Sequence, residues 1–211
     1  MTFGERAQRA YYWTAVSFLW LTFGFSHRFR ALGREHVPRE GSVIIASNHR
    51  HYLDPIFMGL AIPRPVAYMA KAELFAIPVL GLLSRGLYAF PVHRGAGDRA
   101  ALRAAGRILQ DGGALGMFPE GTRQLGPALG EPQAGTAMLS LMTGAPIVPA
   151  ALLGTELARK DNPARRRFPR VEVRFGEAIQ PDTGAEDRRQ EMARLTAAMM
   201  DGIRRLGGFP A

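Results

Sequence analysis

The segment Asn48-His49-Arg50-His51-Tyr52-Leu53-Asp54 sets an imidazole and a carboxylate five positions apart in a polar stretch that follows an apolar run. A carboxylate at that spacing can turn back on the ring, hold one N–H and fix the tautomer. The other nitrogen is then the more basic one, which is the orienting half of a triad without a nucleophile of its own. HxxxxD alone is also compatible with a purely structural His at a strand end. A second constellation, Phe118-Pro119-Glu120-Gly121-Thr122-Arg123, again follows an apolar run. Arg123 can clamp a phosphate with two parallel hydrogen bonds, Gly121 permits close backbone approach, and Glu120 can hold the Arg or a substrate hydroxyl. As a plain turn, Pro-Glu-Gly-Thr would satisfy the chain with no chemistry at all.

Both loops need strands to deliver them. Residues 42–46 read as a short buried strand, and Asp54-Pro55 opens a helix carrying Ile56, Phe57, Leu60 and Ala61 before Pro63 and Pro65. VAYMA at 66–70, GLYAFPVHR, GGALGMF, PIVPAALLG and VEVRFGEAI supply further strands. Helical spacing marks 97–111, with Arg99, Arg103 and Arg107 as an outer stripe, then 135–143 and 186–206. Strands alternating with helices, each strand ending in a polar loop, imply a single α/β domain. Its central sheet is mixed and largely parallel, helices flank it, and the functional loops gather at one sheet edge.

With the order of blocks in view, the chain resembles the glycerolipid acyltransferases of the lysophosphatidate acyltransferase type over roughly residues 40–180. NHRHYLD matches the family's NHxxxxD block, GLYAFPVHR its second block ending in Arg94, FPEGTR its third, and Ile147-Val148-Pro149-Ala150 its fourth. Lys71 in AKAELF and GEAI at 176–179 resemble further family positions. The resemblance implies acyl transfer from acyl-CoA or acyl-carrier protein to the free hydroxyl of a lysophospholipid, foremost 1-acylglycerol-3-phosphate, which would give phosphatidic acid. It assigns His49 as general base and Asp54 as its orienting partner. Lys71, Arg94 and Arg123 become candidates for the acceptor phosphate, with Glu120, Gly121 and Thr122 shaping the site. No cofactor or metal is implied. Two departures stand out: His51 replaces the small hydroxyl residue that often lies two after the His, and Glu131-Pro132-Gln133-Ala134 lacks the Lys that many relatives carry before the Gly. They leave another lysolipid acceptor open.

Composition agrees with a folded, lipid-facing chain. The 211 residues, 47% hydrophobic and 21% charged, exclude a disordered tail, and the net charge of +9 favours a polyanionic partner. The absence of Cys excludes thiolate nucleophiles and Cys-ligated zinc. Residues 11–25 carry no charge and are flanked by Arg6, Arg9, Arg28 and Arg30. As a helix they reach about 23 Å, short of the ~30 Å hydrocarbon core, so residues 1–34 read as a membrane-associating segment and 35–211 as the catalytic domain. Within the segment, Thr14, Ser17 and Gly24 fall on one helical face. The expected location is the cell membrane, peripheral or monotopic, with the active site facing the cytoplasm. The basic run Arg165-Arg166-Arg167 suits anionic headgroups, the phosphates of CoA or an acidic carrier protein. A nucleic-acid module would leave both motifs unexplained, whereas a His/Asp hydrolase and a non-catalytic membrane-surface binder are separable by assay.

Overall fold

A computed structural model describes residues 3–92 and 99–209. Val43–Ser47 is buried on both faces, and this strand (β2) lies at the centre of a seven-stranded sheet. The other strands are β1 (Arg30–Leu32), β3 (Val66–Lys71), β4 (Ala89–Val92), β5 (Ala114–Met117), β6 (Ile147–Leu153) and β7 (Glu172–Phe175), in the order β1-β7-β6-β2-β5-β3-β4. All neighbours are parallel except β6 and β7. Strands apolar on both faces require cover on both faces, which is why β2, β5 and β6 read as continuous apolar runs.

Alternate residues of β2 divide the core. Val43 and Ile45 join Phe57, Met58, Val148 and Leu152 on one face, whereas Ile44 and Ala46 join Leu109, Leu115, Leu139, Leu195 and Met199 on the other. The first face is covered by helices α1 (Phe3–Leu19) and α2 (Asp54–Ala61), the second by α5 (Arg99–Gln110), α6 (Gly135–Thr143) and α7 (Arg188–Gly207). Two short helices, α3 (Ala72–Ala76) and α4 (Pro78–Gly86), replace the apolar, Pro-interrupted stretch, with Pro78 at the start of α4 where its missing N–H costs nothing.

The N-terminal helix is both docked and exposed. Val16, Leu19 and Phe23 pack on the core around Phe57, while Phe18, Trp20, Leu21 and Phe25 are exposed. After α1 the chain continues as a π-helical turn, Trp20–Gly24. That wider turn breaks the helical register, so Thr14 and Ser17 are exposed while Gly24, expected on the same face, is buried. Among the described residues no helix is long and apolar enough to cross a membrane.

Pro149 sits inside β6, where a missing N–H would normally be excluded. It is tolerated because β7 ends at Phe175 and pairing resumes only at the Ile147–Ile179 bridge, leaving Pro149 opposite the gap, where its carbonyl accepts from Gly176 N–H. Strand β6 is followed by Gly154, whose φ of 93° is left-handed, and a Cβ there would lie 2.0 Å from the Arg170 carbonyl oxygen. Gly154→Ala is therefore expected to lower unfolding free energy by about 2–4 kcal/mol, read as a reduced urea midpoint at unchanged slope; a midpoint equal to wild type would show that the 154–170 contact gives way easily.

Candidate active site

The loop after β2 is pinned before it presents any chemistry. Asn48 donates from Nδ2 to the Leu152 carbonyl at 2.9 Å and accepts the Leu152 N–H at 2.7 Å, clamping the end of β2 to β6. His49 follows, and its backbone is held from the β5 side: its N–H donates to Glu120 Oε2 at 3.2 Å, and its carbonyl accepts from Gln124 N–H at 2.8 Å. Because β2 and β5 are neighbours, the two motifs become adjacent loops.

The His49 side chain sits with Nδ1 2.8 Å from Asp54 Oδ2, and its ring stacks on Phe118 with centroids 4.2 Å apart. Asp54 is fully buried at the first position of α2, where the helix dipole favours negative charge. Its Oδ2 also accepts the N–H groups of Arg50 at 2.6 Å and His51 at 2.7 Å. The loop thus wraps its own carboxylate. The hydrogen-bond network assigns the ring proton to Nδ1 and leaves Nε2 as the basic nitrogen.

His49 lines a cavity of about 740 Å³ with Lys71, Met69, Val92, Leu102, Met117, Phe118 and Met138, and with Glu120, Gly121 and Thr122. Its walls are mostly apolar with a few polar groups, in the size range of small-molecule sites. Arg123 is exposed and lies elsewhere, in a second cleft of about 350 Å³ with His51, Tyr52, Arg159, Lys160 and Asp161. Thr122 borders both spaces. The structure therefore brings Lys71 to His49 and separates Arg123 from both, while Arg94 lies outside the described residues. Among the described residues no three His, Asp or Glu side chains group as metal ligands.

Glu120 is 3% exposed, and both its oxygens are occupied by backbone: Oε2 by His49 N–H and Oε1 by Gly130 N–H at 3.3 Å. It positions two loops, rather than reaching for Arg123. Gly121 closes the turn with φ +67° and its N–H on the Phe118 carbonyl, a conformation that favours glycine. His51 is buried, accepts the Leu53 N–H on Nδ1 at 3.3 Å and stacks against Tyr52. Burial, above all, pushes its pKa down, with Arg123 and Arg159 adding to the shift and Asp54 opposing it.

Two residues that no sequence pattern singles out complete the site. Arg50 is 5% exposed, donates to the carbonyls of Gly126, Pro127 and Ala128, and lies over the Phe209 ring at 4.9 Å, tying the loop after FPEGTR to the C-terminal end of α7. Arg159 pairs with Asp161 and donates to the Leu125 carbonyl at 3.3 Å. An Arg inside a polar loop has no periodicity that reports burial, so only the folded chain reveals either role.

Burial raises the Glu120 pKa, against the opposing pull of the His49 and Gly130 N–H groups, Arg50 and His49. The sign follows: the unfolded carboxyl loses its proton first as pH rises, so the stability this group contributes is present below the unfolded value and is lost as pH rises through the folded one. Glu120→Gln should flatten the dependence of urea midpoint on pH from the ordinary carboxyl range upward. Parallel profiles for variant and wild type would remove the buried-carboxylate account.

The family model described as Acyltransferase matches residues 28–153. A 1-acyl-sn-glycerol-3-phosphate acyltransferase of Bacillus subtilis is 28% identical over 183 residues, covering 84% of this chain and 87% of the relative. The enzyme of the same description from Borreliella burgdorferi is 30% identical over 125 residues, 58% of this chain and 50% of the relative. In fold, the chain is similar to the crystal structure of the 1-acyl-sn-glycerophosphate acyltransferase PlsC from Thermotoga maritima, with TM-score 0.77 and 23% identity over 98% of this chain and 83% of that one. With the family model spanning both the His49/Asp54 loop and the FPEGTR loop, the chain belongs to the acyltransferase family.

Proposed function

We propose that the protein transfers a fatty acyl group from a thioester, acyl-CoA or acyl-carrier protein, to the free hydroxyl of 1-acylglycerol-3-phosphate, giving phosphatidic acid. One observation carries this reading: the Asp54-held imidazole of His49 opens on a largely apolar cavity of about 740 Å³. His49 Nε2 removes the hydroxyl proton as that oxygen attacks the thioester carbonyl. The imidazolium that results is stabilised by Asp54 and returns the proton to the departing thiolate as the tetrahedral intermediate collapses. No enzyme-bound acyl intermediate is required, in keeping with a sequence that has no Cys. Lys71 serves a phosphate within the His49 cavity, while Arg123 serves one across Thr122. Arg94 is the third proposed phosphate cation.

We read residues 1–34 as membrane-associating and 35–211 as catalytic. Support comes from the outward row Phe18, Leu21 and Phe25, and from Phe168, 50% exposed, which packs edge-on against His27 at the end of that segment. Arg167 lies over the Phe168 ring at 5.4 Å, so a cation accompanies that contact, and apolar area combined with cations is what binds anionic lipid surfaces. The protein thus sits on the cell membrane, peripheral or monotopic, with its active site facing the cytoplasm.

His49→Ala should lower kcat by about 10²–10⁴-fold with an unchanged thermal midpoint. Asp54→Asn should lower kcat with little change in acceptor KM and shift the acid limb of the pH–rate profile. The assay follows thiol release with and without lysophosphatidate and identifies the product by mass. Release that ignores the acceptor would point to a hydrolase, and near-normal turnover in His49→Ala would remove the mechanism.

Deleting residues 1–26 would strip Val16, Leu19 and Phe23 from the core, so the membrane reading is better tested on the outer face. Phe18→Asp with Leu21→Asp is expected to abolish co-sedimentation with anionic vesicles while detergent-presented acceptor is still used at near wild-type rate. Full recovery with vesicles would overturn it.

A further inference from the structure

The two faces of the sheet differ in what they show to solvent. The α1 side carries the exposed Phe18, Trp20, Leu21 and Phe25, whereas the helices of the opposite side carry arginines. On α5, Arg99, Arg103 and Arg107 project outward, and on α7 Arg188 and Arg189 do the same. None of these five forms an ion pair among the described residues. Between α7 and the loop of residues 128–134 runs an open groove of about 700 Å³. Its apolar lining comes from Leu129, Met192 and Met200, and its charged lining from Arg189 and Arg204 against the single acid Glu131. Methionines give such a surface an adaptable apolar floor. The groove adjoins the catalytic cavity, because Ala134 lines both.

We propose that this groove is the docking surface for an acidic helix of the protein that carries the acyl thioester. The inference rests on the acyltransferase reading above and narrows its donor. Charge complementarity is the first argument: an apolar floor bordered by Arg189, which forms no ion pair among the described residues, and by Arg204, which shares Asp201 with Arg205, suits an amphipathic helix whose flanks are acidic. Distribution is the second. The arginines of α5 and α7 are spread along two helices, as a protein surface requires, whereas the clustered Arg123, Arg159 and Lys160 beside a 350 Å³ cleft suit a single phosphate. Placement is the third. The groove lies on the sheet face opposite the lipid-suited one, so a soluble donor and a membrane-held acceptor approach from different sides, and a thioester arm has only the 131–134 segment to pass before the His49 cavity.

The test compares two donors with the same acyl chain, acyl-CoA and acyl-[acyl-carrier protein], in wild type, Arg189→Glu and Ala193→Trp. Arg189 and Ala193 are both exposed and line the groove, so either change leaves the core intact. The expected result is a KM for the carrier-bound donor raised roughly tenfold in each variant and steeper salt dependence in wild type, with the acyl-CoA KM within about twofold of wild type. Binding of unacylated carrier protein, followed by fluorescence anisotropy, should weaken in parallel. Equal KM shifts for both donors, no shift for the carrier-bound one, or a wild type that uses acyl-CoA alone would overturn the docking surface while leaving the acyltransferase reading intact. A wild type that uses neither donor would overturn both.

Discussion

One carboxylate oxygen organises the site. Asp54 Oδ2 receives the His49 ring and the N–H groups of Arg50 and His51, so the loop between strand β2 and helix α2 folds around the group that also holds its imidazole. Burying an ionisable carboxylate is costly unless donors meet it, and here the donors come from the residues that must be placed. Position and chemistry are then one constraint. Loss of the carboxylate would release the imidazole and the turn together, which is why Pro55 and the start of α2 belong to the active site as much as His49 does.

The rest of the fold keeps that turn in register with its neighbour. Asn48 locks it to β6, and Glu120 and Gln124 lock it to the loop after β5. Arg50 extends the chain of contacts to the C-terminus through Phe209. Glu120 is the instructive case. A Glu beside an Arg in sequence invites the reading of a salt bridge or a substrate contact, yet its burial and two backbone partners make it a joint between loops. The cations are sorted by the same geometry, with Lys71 on the base's side of Thr122 and Arg123 on the other.

Much of this was legible beforehand. The strand at 43–47, the helix at 54–61 and the helix at 135–143 fall where apolar runs, Pro placement and helical spacing put them. The alternation of strands and helices also conveyed the largely parallel sheet. Local signals failed where a neighbour decides the outcome. Gly24 is buried because a π-helical turn alters the register, and Tyr12 is buried because its ring packs against Tyr88 of the domain. Arg50 and Arg159 were silent because a guanidinium's role depends on which carbonyls the fold brings to it.

The sequence by itself determined the inventory: an imidazole with a carboxylate within turning distance, a Pro-Glu-Gly-Thr-Arg turn, no thiol, and an apolar segment too short to span a bilayer. Residue type and short spacing settle those, because they are properties of a few consecutive side chains. Only the tertiary structure decided which loops meet. Strand order is set by non-local pairing, and it placed β5 beside β2, sent Lys71 and Arg123 into different spaces, and put the exposed apolar row of α1 on the sheet face opposite the arginines of α5 and α7.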